Sequence, residues 1–127
     1  MSDPHTPDWY DRSLEKALTN NLVDRYFSES ESWLRAILRM CIFSLTYTDR
    51  QAALLIECPN QAVAKRLSRK TYPLQDFVQR FSRRSRASKR VLICYFEEPL
   101  GSWRCFDTKT NAWKDLKTCQ VPTLGNW

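Results

Sequence analysis

The chain has 127 residues, 43% of them hydrophobic, which is enough for the core of one modest domain. This length excludes a two-domain enzyme. The longest mainly apolar run, residues 40–45, is far shorter than the roughly 20 residues that a bilayer-spanning helix needs, and the polar start over residues 1–5 does not resemble an export signal. We therefore expect a cytoplasmic protein without a membrane partner.

The net charge of +6 is unevenly distributed along the chain. Residues 1–64 contain six cations and nine anions, whereas residues 65–90 contain ten cations and one anion, a net charge of +9. Residues 91–127 contain four of each. Because the cations are concentrated in one short stretch, the sequence predicts an anionic partner.

The first part of the chain predicts a tail and two helices. Residues 1–6 have no apolar pattern, and we expect order to begin at Pro7. Apolar residues then recur mostly at steps of about four, the period of one helix face. They predict the buried side of a first helix and are Trp9, Leu14, Leu18, Leu22 and Tyr26. Ser28 is the predicted N-cap of a second helix, whose inner stripe is Trp33, Leu34, Ile37 and Leu38.

Two strands are predicted next. Residues 41–48 are rich in β-branched and aromatic side chains, and residues 52–58 form a short apolar run that ends at Pro59. The polar residues 49–51 between the runs predict a turn, so we expect the two strands to be antiparallel.

A third and a fourth helix are predicted after these strands. Asn60 is the predicted N-cap of the third helix, which carries an apolar side and a cationic side. The apolar side consists of Val63, Ala64 and Leu67, and the cationic side of Lys65, Arg66, Arg69 and Lys70. Pro73 is well placed near the start of the fourth helix, whose apolar stripe is Leu74, Phe77, Val78 and Phe81.

The remaining residues predict a connector, a strand and a hairpin. Residues 82–90 contain five cations and no large apolar side chain, which is typical of a solvated connector. Residues 91–96 form an apolar strand, residues 103–116 suggest a C-terminal β-hairpin, and residues 118–127 form a tail. The predicted fold class is therefore α+β, a single domain over residues 7–117 with helices packed on a small sheet.

Neither metal binding nor catalysis is expected from the residue types present. Five cysteines, at positions 41, 58, 94, 105 and 119, include no Cys-x-x-Cys pair, and the only histidine, His5, lies in the predicted tail. Three of the cysteines, at 41, 58 and 94, lie within apolar runs, which favours buried thiols without a disulfide. No glycine-rich phosphate loop or nucleophile motif occurs, so we expect a non-catalytic protein without a cofactor.

The cationic stretch is the candidate functional site. It predicts a surface that binds nucleic acid, either single-stranded DNA or RNA, through contacts with phosphates. The candidate residues are Lys65, Arg66, Arg69, Lys70, Arg80, Arg83, Arg84, Arg86, Lys89 and Arg90. The alternative is that these cations only solvate the surface. Trp103 and Trp113 could stack on bases, but packing onto the sheet is the favoured interpretation.

A family resemblance lies in the middle of the chain. Residues 54–63, an apolar run ending in Pro-Asn and then a helix start, are followed by Tyr72 and by the stripe of the fourth helix. This arrangement resembles the N-terminal interaction domain, domain I, of the bacterial replication initiator DnaA, and is similar to the related DciA domains. The resemblance implies a K-homology-like fold, in which a three-stranded sheet is covered by helices, with the predicted hairpin added.

The same resemblance implies an adaptor function. Such domains bind partner proteins such as the replicative helicase, self-associate and contact single-stranded DNA weakly. By position, Trp9 corresponds to the self-association face, so a homodimer is a further expectation. The glycine-containing clamp of sequence-specific K-homology RNA binders is absent. A pure protein–protein interaction module and a small regulator of a larger enzyme remain the alternative hypotheses.

Overall fold

The computed structural model describes residues 5–48, 51–81 and 90–116; within these ranges, the side chains of residues 5–13, 47, 48, 51, 52, 81 and 116 are not described. The helices are α1 (His5–Tyr26), α2 (Ser32–Leu38), α3 (Gln61–Ser68) and α4 (Tyr72–Phe81). The strands are β1 (Ile42–Thr48), β2 (Gln51–Glu57), β3 (Val91–Glu97), β4 (Ser102–Asp107) and β5 (Ala112–Leu116).

The five strands form one mixed sheet in the order β1-β2-β3-β4-β5. β1 and β2 are antiparallel, as predicted, and β2 is parallel to β3, because α3 and α4 carry the chain back to the starting edge. The predicted α+β class is therefore confirmed. The C-terminal hairpin pairs with β3 from Leu92 opposite Asp107 to Glu97 opposite Ser102, so the sheet has five strands instead of three.

Helix α1 has the predicted period but presents a different face to the core. Leu14 and Leu18, predicted to be buried, are each 56% exposed, whereas Thr19, Val23 and Phe27 are buried. The reason is a polar contact, because the backbone N–H of Phe43 in the edge strand β1 donates a hydrogen bond to the Thr19 hydroxyl at 2.9 Å. α1 also begins at His5, two residues before the predicted start.

Helix α2 begins later than predicted. Its N-cap is Glu31, which makes no side-chain capping bond, so the prediction of Ser28 as the cap is wrong. The inner stripe is confirmed, with Leu34 and Leu38 buried. At the C-terminal end of α2, the Lys16 ammonium donates hydrogen bonds to the carbonyl of the C-cap residue Arg39 and to the carbonyl of Cys41. These bonds satisfy backbone acceptors at and just beyond the end of the helix.

Apolar side chains lie on both faces of the sheet. The main core lies between one face and the helices and includes Leu34, Ile56 and Ile93. A smaller cluster lies on the opposite face, and its buried members are Ala53, Leu55, Leu92, Cys94 and Cys105. The central strands β2 and β3 are therefore buried on both sides, which explains their nearly continuous apolar sequences. No helix in the described ranges is long and apolar enough to span a membrane.

The cysteines depart from prediction at one pair. Cys94 and Cys105 lie opposite each other in the β3–β4 register and form a disulfide, so the expectation of no disulfide is wrong. The hairpin brings their Cα atoms to 4.1 Å, a proximity visible only once the strand register is known. Cys41 and Cys58 are buried free thiols, as predicted.

Candidate nucleic-acid interface

Helix α3 begins at the end of the buried strand β2. The carboxamide oxygen of Asn60 accepts a hydrogen bond from the Val63 N–H at 2.9 Å, which confirms the predicted cap. The apolar side of the helix is buried, with Val63, Ala64 and Leu67 each less than 9% exposed. Because these residues fix the rotation of α3, its cationic side faces solvent.

Two cations, Arg66 in α3 and Lys70 just after the C-cap of α3, contact residues at the start of α2. The Arg66 guanidinium lies 4.7 Å from the centroid of the Trp33 ring, within the range of a cation–π contact. The Lys70 ammonium lies 3.3 Å from a carboxylate oxygen of Glu31. The start of α2 therefore orients one edge of the cationic side.

The other two cations of α3, Lys65 and Arg69, are one helical turn apart and exposed. Among the residues that the structure describes, neither has a carboxylate partner. Their charge is therefore available to an external anion, which distinguishes them from the partnered cations Arg66 and Lys70.

Arg80 lies at the end of α4 and is paired within its own helix. Its guanidinium lies 3.1 Å from the carboxylate of Asp76, which is the one anion of the 65–90 stretch. Both side chains line a cleft of about 420 Å³, together with Tyr26 and Phe77. Arg80 is exposed, but Asp76 offsets part of its charge, which makes it a weaker candidate for a phosphate contact than Lys65 or Arg69.

Arg90 does not belong to the exposed cationic surface. Its side chain is 2% exposed, and its Nε donates to the carboxylate of Asp107 at 3.0 Å, with a second bond from Nη2. The Lys114 ammonium donates to the same carboxylate at 2.9 Å. The prediction that Arg90 contacts nucleic acid is therefore corrected, because its guanidinium neutralises a fully buried carboxylate.

Burial and hydrogen bonding act in opposite directions on Asp107. Burial by itself raises the pKa of this carboxyl, but the hydrogen bonds from Arg90, Lys114 and the Lys109 N–H together hold the pKa well below its usual range. The carboxylate is therefore charged at neutral pH.

Five predicted residues lie outside what the structure describes. They are Arg83, Arg84, Arg86 and Lys89 in the connector between α4 and β3, and the side chain of Trp9 in α1. Their predicted roles in binding nucleic acid and in self-association stay predictions.

The hairpin tryptophans pack onto the sheet, which confirms the favoured interpretation. The Trp113 ring contacts Tyr95 and Phe106 at centroid distances of 5.8 and 5.4 Å. The Trp103 ring contacts Phe96 at 5.3 Å on the opposite face. Base stacking by these two tryptophans therefore competes with contacts that they already make within the fold.

The sequence analysis missed Tyr72 as a candidate functional residue. Tyr72 is the first residue of α4, is 76% exposed and follows Lys70 by two positions. An exposed aromatic ring beside cations is the combination with which proteins bind single-stranded nucleic acid. The available signal was its position between the cationic stretch of α3 and Pro73, outside the apolar stripe of either helix.

Comparisons with known proteins do not extend this description. Neither a scan against protein-family models nor searches of curated proteins and of solved structures finds a match to the chain. The resemblance to domain I of DnaA and to DciA stays a prediction. Within the described residues, no group of three or more potential ligands is placed to hold a metal ion.

Proposed function

We propose that this chain is a non-catalytic domain that binds single-stranded nucleic acid through the cationic side of α3 and the exposed ring of Tyr72. The observation that carries the proposal is the presence of two exposed cations, Lys65 and Arg69, that have no carboxylate partner among the described residues, together with the 76% exposed ring of Tyr72, three positions after Arg69. Phosphates neutralise the cations, and a splayed base stacks on the ring.

The remaining α3 cations contribute from fixed positions. The Trp33 ring supports the Arg66 guanidinium, so less side-chain freedom is lost when that group meets a phosphate. Lys70 exchanges its exposed contact with Glu31 for a phosphate at small cost, since exposed ion pairs are weak. Four phosphate contacts are therefore within reach of one helix.

We further propose an adaptor role, with nucleic-acid binding coupled to a protein partner such as a replicative helicase or an initiator. The support is the sequence resemblance together with the order strand, strand, helix, helix, strand, which suits a K-homology-like arrangement extended by the hairpin.

The test is fluorescence anisotropy with labelled single-stranded and duplex DNA and RNA at several salt concentrations. Four contacts with single-stranded phosphates predict a log–log salt slope of about −2.8, or about 50-fold weaker binding at 200 mM salt than at 50 mM. Single strands are expected to bind more tightly than duplexes, because only unpaired bases reach Tyr72. Absence of binding at low salt would overturn the proposal.

A second candidate function, a protein–protein interaction module, is favoured by the exposed side of α1. Leu14 and Leu18 present apolar side chains one helical turn apart to solvent. Light scattering coupled to size exclusion tests self-association on this helix, with Trp9→Ala and Leu14→Asp as variants. A dimer that both variants dissociate supports this function; a monomeric wild-type chain counts against self-association.

A further inference from the structure

A pair of free thiols lies at one end of the β1–β2 pair and has no part in the proposed interface. Cys41 immediately precedes β1 and Cys58 immediately follows β2. Since Ile42 pairs with Glu57, one further step of the antiparallel register places the two cysteines opposite each other. Their sulfur atoms are 3.8 Å apart.

Both thiols are buried in the fold. Cys41 is 0% exposed and Cys58 is 6% exposed, at the edge of the main core. Because both side chains are buried, we expect a small oxidant to reach them more readily than a peptide or glutathione. The pKa of the Cys58 thiol is raised, first by its hydrogen bond with Cys41 and then by burial, so this thiol stays protonated in the resting protein.

The placement of the two cysteines fits a cross-strand disulfide. A disulfide needs sulfur atoms about 2.05 Å apart, and the sulfur atoms of Cys41 and Cys58 are already in contact at 3.8 Å. The same sheet already carries such a bond, Cys94–Cys105, between opposed residues of β3 and β4. Closing the second pair requires the two sulfur atoms to approach from 3.8 Å to bonding distance.

We propose that Cys41 and Cys58 are a redox-active dithiol that hydrogen peroxide converts into a second cross-strand disulfide. One sulfur attacks a peroxide oxygen, the O–O bond breaks, a sulfenic acid forms, and the thiol proton leaves with the departing hydroxide as water. The neighbouring sulfur then attacks the sulfenic sulfur, forms the S–S bond and releases a second water. Two thiols are oxidised by two electrons, and one peroxide is reduced to two waters.

The new bond links two elements that support the α3 surface. Cys41 lies just after α2, which carries Trp33, and Cys58 lies two residues before the Asn60 cap of α3. Oxidation therefore ties the end of α2 to the start of α3 and is expected to raise the thermal midpoint of unfolding by several degrees.

The test uses the whole chain with Cys119→Ser, which removes the one cysteine that lies outside the described residues. The folded protein is treated with hydrogen peroxide, quenched, denatured and alkylated, and its intact mass and peptide map are measured. Untreated protein is expected to take up two alkyl groups, on Cys41 and Cys58. Treated protein is expected to take up none, to lose the mass of two hydrogen atoms and to yield a peptide linked through Cys41 and Cys58. Dithiothreitol added after denaturation is expected to give four alkylations, on Cys41 and Cys58 and also on Cys94 and Cys105, whose disulfide it reduces as well.

Two matched variants provide the control. Cys41→Ser and Cys58→Ser each leave one thiol of the pair, which is expected to remain alkylatable or to be oxidised to the sulfinic acid without forming a linked peptide. Oxidised glutathione is expected to leave the folded wild-type pair reduced, because both thiols are buried. Persistent alkylation of both thiols after peroxide, sulfinic acid in the chain that retains both, or a disulfide joining another pair would overturn the proposal.

Discussion

Asp107 is the residue on which the hairpin end of the sheet most depends. Its carboxylate is fully buried and accepts hydrogen bonds from Arg90, Lys114 and the Lys109 N–H. A buried charge of this kind is tolerated only when its partners are in place. Removing the carboxylate charge takes the Asp107 counterion away from the buried Arg90 guanidinium.

We predict that Asp107→Asn lowers the free energy of unfolding by about 3–5 kcal/mol. The loss is expected because the buried Arg90 guanidinium no longer faces the negative charge of Asp107, and urea unfolding at neutral pH measures it. Asp115→Asn is the matched control, since Asp115 pairs with Arg104 at the surface, and it is expected to change the free energy of unfolding much less. Equal effects of the two variants would contradict this role for Asp107.

The stability difference between wild type and Asp107→Asn is predicted to depend on pH. The folded-state pKa of Asp107 is depressed below the unfolded value of about 3.9, so the carboxylate stabilises the fold at any pH above that value. This contribution is lost as the pH falls from about 5 towards the folded-state pKa. Urea unfolding between about pH 7 and pH 2.5 should show the difference shrinking; a constant difference would rule out this linkage.

At the scale of single elements, the start of α4 presents Tyr72 as a platform for a base. We predict that Tyr72→Ala weakens binding of single-stranded DNA by about 5- to 150-fold, the range expected for loss of one base–aromatic stack of 1–3 kcal/mol. Because Tyr72 is 76% exposed, the variant should unfold at nearly the wild-type temperature. Anisotropy and circular dichroism measure the two effects.

Tyr72→Phe separates stacking from hydrogen bonding. The phenylalanine ring stacks as well as the tyrosine ring, so this variant is expected to bind single-stranded DNA nearly as tightly as wild type. Wild-type affinity in Tyr72→Ala would remove the ring from the interface. Equal losses in both variants would assign the contact to the hydroxyl group.

The Asn60 cap is predicted to set the stability of α3. Asn60→Ala removes the acceptor for the Val63 N–H and is expected to cost about 1 kcal/mol in the free energy of unfolding. Asn60→Ser keeps an acceptor and is expected to lose only part of this. If Asn60→Ala were as stable as wild type in urea, the hydrogen bond would not contribute to the helix.

The elements that were predictable from sequence are those with local determinants. The third helix follows from the Asn60 cap and from an apolar side that repeats with the helical period, and both are present in the structure. The buried face of α1 was not predictable from local sequence. Thr19 on that face accepts a hydrogen bond from the N–H of Phe43, which lies 24 positions away in the chain. Such partners become visible only in the assembled sheet.

The same distinction applies to the candidate site. The cationic side of α3 followed from helical spacing, whereas the burial of Arg90 depends on Asp107, which is 17 residues further along the chain. The Cys94–Cys105 disulfide likewise required the register of β3 against β4. Tyr72 entered the sequence analysis only as part of the family resemblance, and its exposure became visible only in the assembled fold.

At the scale of the whole molecule, the sheet provides the buried core and the helices provide the exposed cationic surface. β2 and β3 supply a core buried on both faces, and the crossover between them, through α3 and α4, carries the exposed cations. At the start of α2, Trp33 contacts Arg66 and Glu31 contacts Lys70. The fold thereby presents a rigid helix with charge on one side, where binding costs little conformational entropy.

The central claim is that Lys65 and Arg69 bind phosphates, and the salt dependence of binding tests it most directly. In Lys65→Gln/Arg69→Gln, the log–log slope for single-stranded DNA is predicted to become shallower by about 1.4, because two phosphate contacts are lost. Arg104→Gln/Lys109→Gln removes the same charge from the hairpin and is predicted to leave the slope unchanged. A slope that is the same in wild type and in Lys65→Gln/Arg69→Gln, or that changes equally in both variants, would contradict the account.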